Sequence, residues 1–303
     1  MLRNFEERLA AFVNSRAGAT LTALWGLIAM IWAGALTSGA GVVNMLLAYV
    51  AGLGALGIDH TFNITRGRSA VFAALLPLMM ATDPYMAERV NPGVVTALAL
   101  TGALWVFMRS YNAPRQTRRV FLAFLIIAVT GVFIPSALVF LIVLAVGLGQ
   151  MHIFKLRPML AGILGAVTPA WILWGWGAPV RYDVFSAGGL AVADHSQLIA
   201  ATVTAVLTVV AGMTLSGVNL VRIMSYNSRS RGNNGLLLTA ALVATVAGAV
   251  RYPAMEAYMP VLFVCMAFQT GHFIVINAQR RWTAFTVPAM VVVFTALTVW
   301  THL

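Results

Sequence analysis

"MRSYNAPRQTRRVF", residues 108–121, holds four arginines, one proline and no acid between two long apolar runs. A second patch, "MSYNSRSRG" at 224–232, repeats Tyr-Asn followed by arginine. The whole chain of 303 residues is 61% hydrophobic and only 9% charged. A soluble protein of that length needs far more charged surface. The arginine patches therefore read as the places where the polypeptide leaves an apolar solvent. Apolar runs recur along the chain at lengths near the roughly 20 residues that carry a helix across a hydrocarbon core about 30 Å thick. The short alternating segments of a membrane barrel are missing. The expected fold is all-α, a polytopic transmembrane helical bundle forming one integral membrane domain over 1–303.

Eleven spans are expected, at 18–37, 40–58, 69–82, 93–108, 120–134, 135–150, 158–177, 196–218, 235–250, 257–276 and 284–301. With the N-terminus in the cytoplasm, this scheme leaves sixteen of the nineteen basic residues on the inner side. Only Arg89, Arg181 and Arg251 fall outside. A lost or added span would scramble that division, so the asymmetry supports both the count and the orientation: N-terminus in, C-terminus out, in a bacterial inner membrane. It also accounts for the net charge of +11 without nucleic acid as a partner. The inner arginines meet anionic lipid instead. Residues 1–16 place Phe5, Leu9, Phe12 and Val13 at helical spacing and read as an amphipathic interfacial helix, with no cleavable signal pattern. The single cysteine, Cys265, lies in an apolar run and is expected to pack as a small apolar side chain.

Asn14, Asn63, Asn112, Asn227 and Asn277 all stand at inner turns, each with arginine close behind. The first three are 49 residues apart and the last two 50. The chain thus reads as stacked in-out-in hairpins. Either a duplicated hairpin or the plain length of two spans and two turns produces that interval. Three spans, at 69–82, 120–134 and 235–250, are short, and each ends outside near a proline: Pro84, Pro135 and Pro253. Backbone cannot lie unpaired in lipid, so shortened spans imply shelter by neighbouring helices or a recess open to the outer side. Local thinning of the bilayer is the alternative.

Five of the eight acids lie outside, and each outer arginine has an acid within five residues. This set could line the recess. Arg89, Arg181 and Arg251 would hold phosphate, and Asp83, Glu88, Asp183 or Glu256 would supply a catalytic base. A lipid-linked pyrophosphate would suit that mixture. Loop salt bridges of little worth are the plainer account. Trp171 and Trp174, with Trp176, either wall the recess against a sugar or isoprenoid or form an interfacial belt. Asp59–His60 lacks the further ligands of a metal site, so no metal and no cofactor are expected, and Arg66 or Arg68 is the expected partner of Asp59. Gln150 with His152, and Gln269 with His272, stand near inner helix ends, where they are expected to hydrogen-bond between helices. No span carries a charge near its middle, which weighs against an ion-coupled carrier. Walker, HExxH and GxSG motifs are absent.

The succession of "YNAPRQTRR", "FIPSAL", "FKLRPML" and "GILGAVTPAWILWGW" over 112–177 resembles an uncharacterised multi-pass inner-membrane family of Bacteroidota. The resemblance implies the order of spans and an inner-membrane location, and no activity or catalytic residues. Three functions remain open: handling of a lipid-linked or envelope glycan substrate at an outward recess, as transferase or translocator; a non-catalytic subunit with envelope protein partners; or a facilitator for a small neutral solute.

Overall fold

The computed structural model describes residues 2–67, 70–177, 195–277 and 283–303. Among them there are twelve α-helices and no strand. The helices are α1 (Leu2–Val13), α2 (Arg16–Trp32), α3 (Gly39–Phe62), α4 (Val71–Met80), α5 (Pro92–Met108), α6 (Thr117–Phe133), α7 (Leu141–Gln150), α8 (Leu156–Trp176), α9 (His195–Ile223), α10 (Ser228–Val250), α11 (Met259–Ile276) and α12 (Thr283–His302). Short 3-10 helices at Pro135–Phe140 and Tyr252–Ala257 precede α7 and α11. Six helices, α3 and α8–α12, are long and apolar enough to cross a membrane. By helix length and hydropathy the chain is a multi-pass membrane protein.

Several of the expected boundaries move, two of them for identifiable reasons. The second helix stops at Trp32 rather than near residue 37. Gly34 there adopts a positive φ of 86°, and the amides of Ala33, Gly34 and Ala35 turn back onto the carbonyls of Ala29, Ile31 and Met30. The helix expected at 235–250 starts at Ser228. The Oδ1 of Asn227 caps it by accepting from the Ser230 amide at 2.9 Å. It runs for 23 residues, about 35 Å at 1.5 Å per residue, so this helix is not shortened. The polar run "SRSRGNN" is its first two turns, with Asn233 and Asn234 buried.

The chain forms two compact units. The first comprises Met1–Val90, Val192–Ser225 and Leu262–Leu303; the second comprises Asn91–Ala191 and Tyr226–Val261. In the first, α4 is ten residues long and buried along nearly its whole length. It packs against α2, α3 and α12. Small residues permit the approach: a Cβ on Gly26 would stand 3.1 Å from the Leu78 amide nitrogen, and one on Gly52 would stand 3.0 Å from the Ala73 carbonyl. This is the shelter that so short an apolar helix needs. The segment after it is tied down by polar side chains. Asn44, buried on α3, donates its side-chain amide to the carbonyls of Met86 and Arg89 at 2.9 and 2.8 Å, and the Ser38 hydroxyl donates to the Ala87 carbonyl. At the other end of α3, Asp59 is engaged by Thr65; Arg68, one of its two expected partners, lies outside the described residues. The Asp59 carboxylate accepts from the amide and hydroxyl of Thr65 at 2.7 and 2.8 Å, closing the turn in which Asn63 and Arg66 have positive φ. His272 Nδ1 lies 2.9 Å from the Ile64 carbonyl of the same turn.

In the second unit, α6 packs against α5 and α8, and α7 packs against α10. Gln150 donates to the Thr239 hydroxyl at 2.9 Å. The turn that holds Tyr111 is fixed by the Asn112 amide, which donates to the Met151 carbonyl at 2.9 Å, and by an edge contact between Tyr111 and His152 with ring centroids 5.7 Å apart. Arg119 donates to the Arg109 carbonyl across the same bend.

Replacing Asn44 with alanine leaves the Met86 and Arg89 carbonyls without their donor. Unpaired buried carbonyls cost about 1–3 kcal/mol each, so Asn44→Ala should lower the stability of the detergent-purified protein by about 2 kcal/mol or more. Thermal unfolding followed by circular dichroism measures this. An unchanged midpoint would contradict the anchoring role of Asn44.

Candidate functional site

Two turns of the second unit are built alike. Helix α6 ends at Phe133, Ile134 is extended at φ −127° and ψ 86°, and Pro135 opens a 3-10 turn into α7. Helix α10 ends at Val250, Arg251 has φ −112° and ψ 54°, and Tyr252–Pro253 opens a 3-10 turn towards α11. Both turns place a proline in the first turn of a 3-10 helix, where its missing N–H is tolerated, and at the first of them Pro135 also pushes Ile134 out of the helical region. The second turn is also held from beneath. Gly93, in the first turn of α5, lies so close that a Cβ there would overlap the carbonyl oxygen of Glu256 and the ring of Pro260. Asn91 caps α5 at that point, accepting from the amides of Gly93 and Val94 at 2.6 and 3.3 Å.

Between these turns lies a groove with a volume of about 580 Å³. One wall is the Pro135 turn and the start of α7, with Leu138, Val139 and Ile142. The other is the end of α10, with Leu242, Val243, Val246, Ala247 and Val250. Apart from Ser136, the polar lining residues are Arg251 and Tyr258, together near one end of α10. Tyr258 is 2% exposed and packs beside Phe140, ring centroids 6.3 Å apart. Arg251 is exposed, and its guanidinium lies near enough to the Tyr258 hydroxyl to act on it electrostatically. Burial pushes the Tyr258 phenol above its ordinary pKa, and the Arg251 charge only partly opposes this. Tyr258 therefore stays neutral at physiological pH, and the positive charge of Arg251 is not cancelled by it. Among the described residues that line the groove there is no carboxylate to pair with Arg251. The arrangement is an apolar trough with a cation at its rim, suited to an amphipathic guest with an anionic head.

The outer residues singled out from the sequence divide between the two units. Asp83, Glu88 and Arg89 belong to the first. The Asp83 carboxylate accepts from the Tyr85 amide at 3.1 Å, Glu88 is exposed, and the Arg89 guanidinium lies over the Tyr85 ring at 4.4 Å. Arg251 and Glu256 belong to the second, with Glu256 buried at 7% exposure in its 3-10 turn. Arg181 and Asp183 lie outside the described residues. Trp171 and Trp174 are 67% and 82% exposed on α8 and do not line the groove. Tyr258 was not found from the sequence. Only the folded turn at Tyr252–Ala257 brings it to Arg251, seven positions earlier. A smaller cleft of about 220 Å³ lies in the first unit between α2, α3 and α4, and Tyr49 there donates to the Ala23 carbonyl at 2.8 Å.

No protein family, curated protein or solved structure matches this chain.

The packing at Gly93 makes it a sensitive control on the groove. Gly93→Ala should destabilise the protein by about 1–3 kcal/mol through overpacking against backbone and should speed amide exchange over 251–257. Gly102→Ala on the same helix meets nothing within 4 Å and should be neutral, or stabilising by up to about 1 kcal/mol. Equal behaviour of the two variants, measured by thermal unfolding and hydrogen exchange, would contradict the close approach.

Proposed function

We propose that this protein binds a lipid-anchored, anionic substrate in the α7–α10 groove, at the outer side of a bacterial inner membrane. The proposed topology has eleven spans, α2 to α12 with the Pro135 turn counted into α7, and runs from a cytoplasmic N-terminus to an outer C-terminus. The arginine distribution supports this orientation, and the resemblance over 112–177 supports the order of spans and the inner-membrane location. The observation that carries the functional reading is the groove itself: its walls are aliphatic, and its rim holds one guanidinium with a neutral phenol behind it.

This reading narrows the sequence-based set. Arg251 remains as a substrate-binding residue and Tyr258 joins it as the group that positions it. Asp83, Glu88 and Arg89 contribute to holding their own loop. Trp171 and Trp174 serve as an interfacial belt. No carboxylate is among the described lining residues, so holding or translocating the substrate is favoured over a transferase reaction that needs a base at this groove.

A photoreactive fatty acid incorporated by growing cells tests the idea. Crosslinks should concentrate on peptides containing 135–142 and 242–251. Val246 is 61% exposed and lines the groove, so Val246→Trp should fill it without disturbing the core. The crosslink yield there should fall about tenfold, the equivalent of roughly 1.4 kcal/mol. Val206→Trp, at a similarly exposed position on α9, should leave it unchanged. Crosslinks spread evenly over all exposed apolar faces, or unaffected by Val246→Trp, would reject the groove as a binding site.

A further inference from the structure

We infer that the guest of this groove is a phosphodiester lipid with one negative charge, seated by a single acyl chain; the inference rests on the lipid-binding reading above. Charge decides the head. Arg251 supplies one positive charge, Tyr258 supplies none at neutral pH, and no second cation is among the described lining residues. A pyrophosphate carries at least two negative charges and would leave one unpaired against aliphatic walls, which is costly. A phosphodiester presents two acceptor oxygens and one charge, matching the two-pronged donor face of one guanidinium. A zwitterionic head would bring a cation against Arg251, where no acid among the described lining residues receives it.

Volume decides the tail. An apolar cavity of about 150 Å³ takes benzene, with six carbons. By that measure a groove of about 580 Å³ takes on the order of 20 carbon atoms. That is one acyl chain with part of a glycerol backbone. A polyprenyl carrier of many isoprene units overflows it. The groove is open along one side, so the second chain of a diacyl lipid stays in the bilayer. Both walls are helices whose exposed positions, Leu138, Ile142, Leu242 and Val246, continue the trough onto the lipid-facing surface.

The test uses the full chain, delipidated in detergent and then mixed with lipid, with binding read by native mass spectrometry. Phosphatidylglycerol should bind about tenfold more tightly than phosphatidylcholine of the same chains. In Arg251→Gln that preference should fall below about twofold while phosphatidylcholine binding stays the same, and Arg251→Lys should retain most of it. A polyprenyl diphosphate or a polyprenyl phosphohexose should compete less well than phosphatidylglycerol. Equal binding of the two phospholipids to the unmodified protein would overturn the inference, as would stronger competition by either polyprenyl compound. In each of those cases Val246→Trp would still abolish binding if the groove is the site. Binding that survives Val246→Trp defeats the groove reading itself.

Discussion

Hydrocarbon offers a peptide group no hydrogen-bond partner, and this single deficit shapes every part of the molecule. It turns the apolar runs into helices, because only a helix satisfies its own amides and carbonyls within one segment. It also dictates what happens where a helix stops. At α4, ten residues long, neighbouring helices close round the segment, and Asn44 supplies donors for the carbonyls beyond its end. At the C-terminal end of α3, Asp59 gives both its oxygens to Thr65. The proline turns meet the same need in another way. Proline removes an amide that would otherwise need an acceptor, and the short 3-10 helices at Pro135–Phe140 and Tyr252–Ala257 pair most of the remaining groups.

The recurrent asparagines arise from the same need, by different routes. Asn63 and Asn112, 49 residues apart, both take left-handed backbone, each with φ near 50°, a conformation asparagine tolerates better than most residues. Asn227 caps a helix with its side-chain oxygen. Asn14 and Asn277 donate to the carbonyls of Ala10 and Phe273, one helical turn back. One residue type thus performs three tasks at one kind of place. The local chemistry of a turn suffices to select it, and a shared ancestry of the hairpins is not needed to explain its presence. The arginines beside them favour water and anionic headgroups over hydrocarbon.

Helix positions were legible because the hydropathy of a membrane helix is a strong, local signal. The ends expected at 108, 150 and 250 coincide with the ends of α5, α7 and α10. The start of α10 was not legible. Nothing in "SRSRGNN" distinguishes helix from loop until the cap at Asn227 and the burial of Asn233 are known. The turns after α6 and α10 were legible through Pro135 and Pro253. The residues of the groove between them were only partly so. Arg251 stood out as one of few outer cations, whereas Tyr258 and the aliphatic walls look like any other membrane positions until two turns are folded beside each other. The association of Asp83, Glu88 and Arg89 with Arg251 and Glu256 was drawn from their common side of the membrane alone. Side of the membrane is a one-dimensional coordinate, and it does not say which groups share a groove.

The account stands on the two kinds of bend lying on opposite faces of a bilayer, arginine bends within and proline bends without. Cys265 is buried, so single cysteines introduced elsewhere report without background from the native thiol. With cysteine placed at Asn112 or at Ser136, a membrane-impermeant maleimide added to cells with a permeabilised outer membrane should label the Ser136 position and spare the Asn112 position until the inner membrane is opened. Labelling of the Asn112 position from outside, or equal labelling of both, would contradict the arrangement on which the groove and its proposed guest depend.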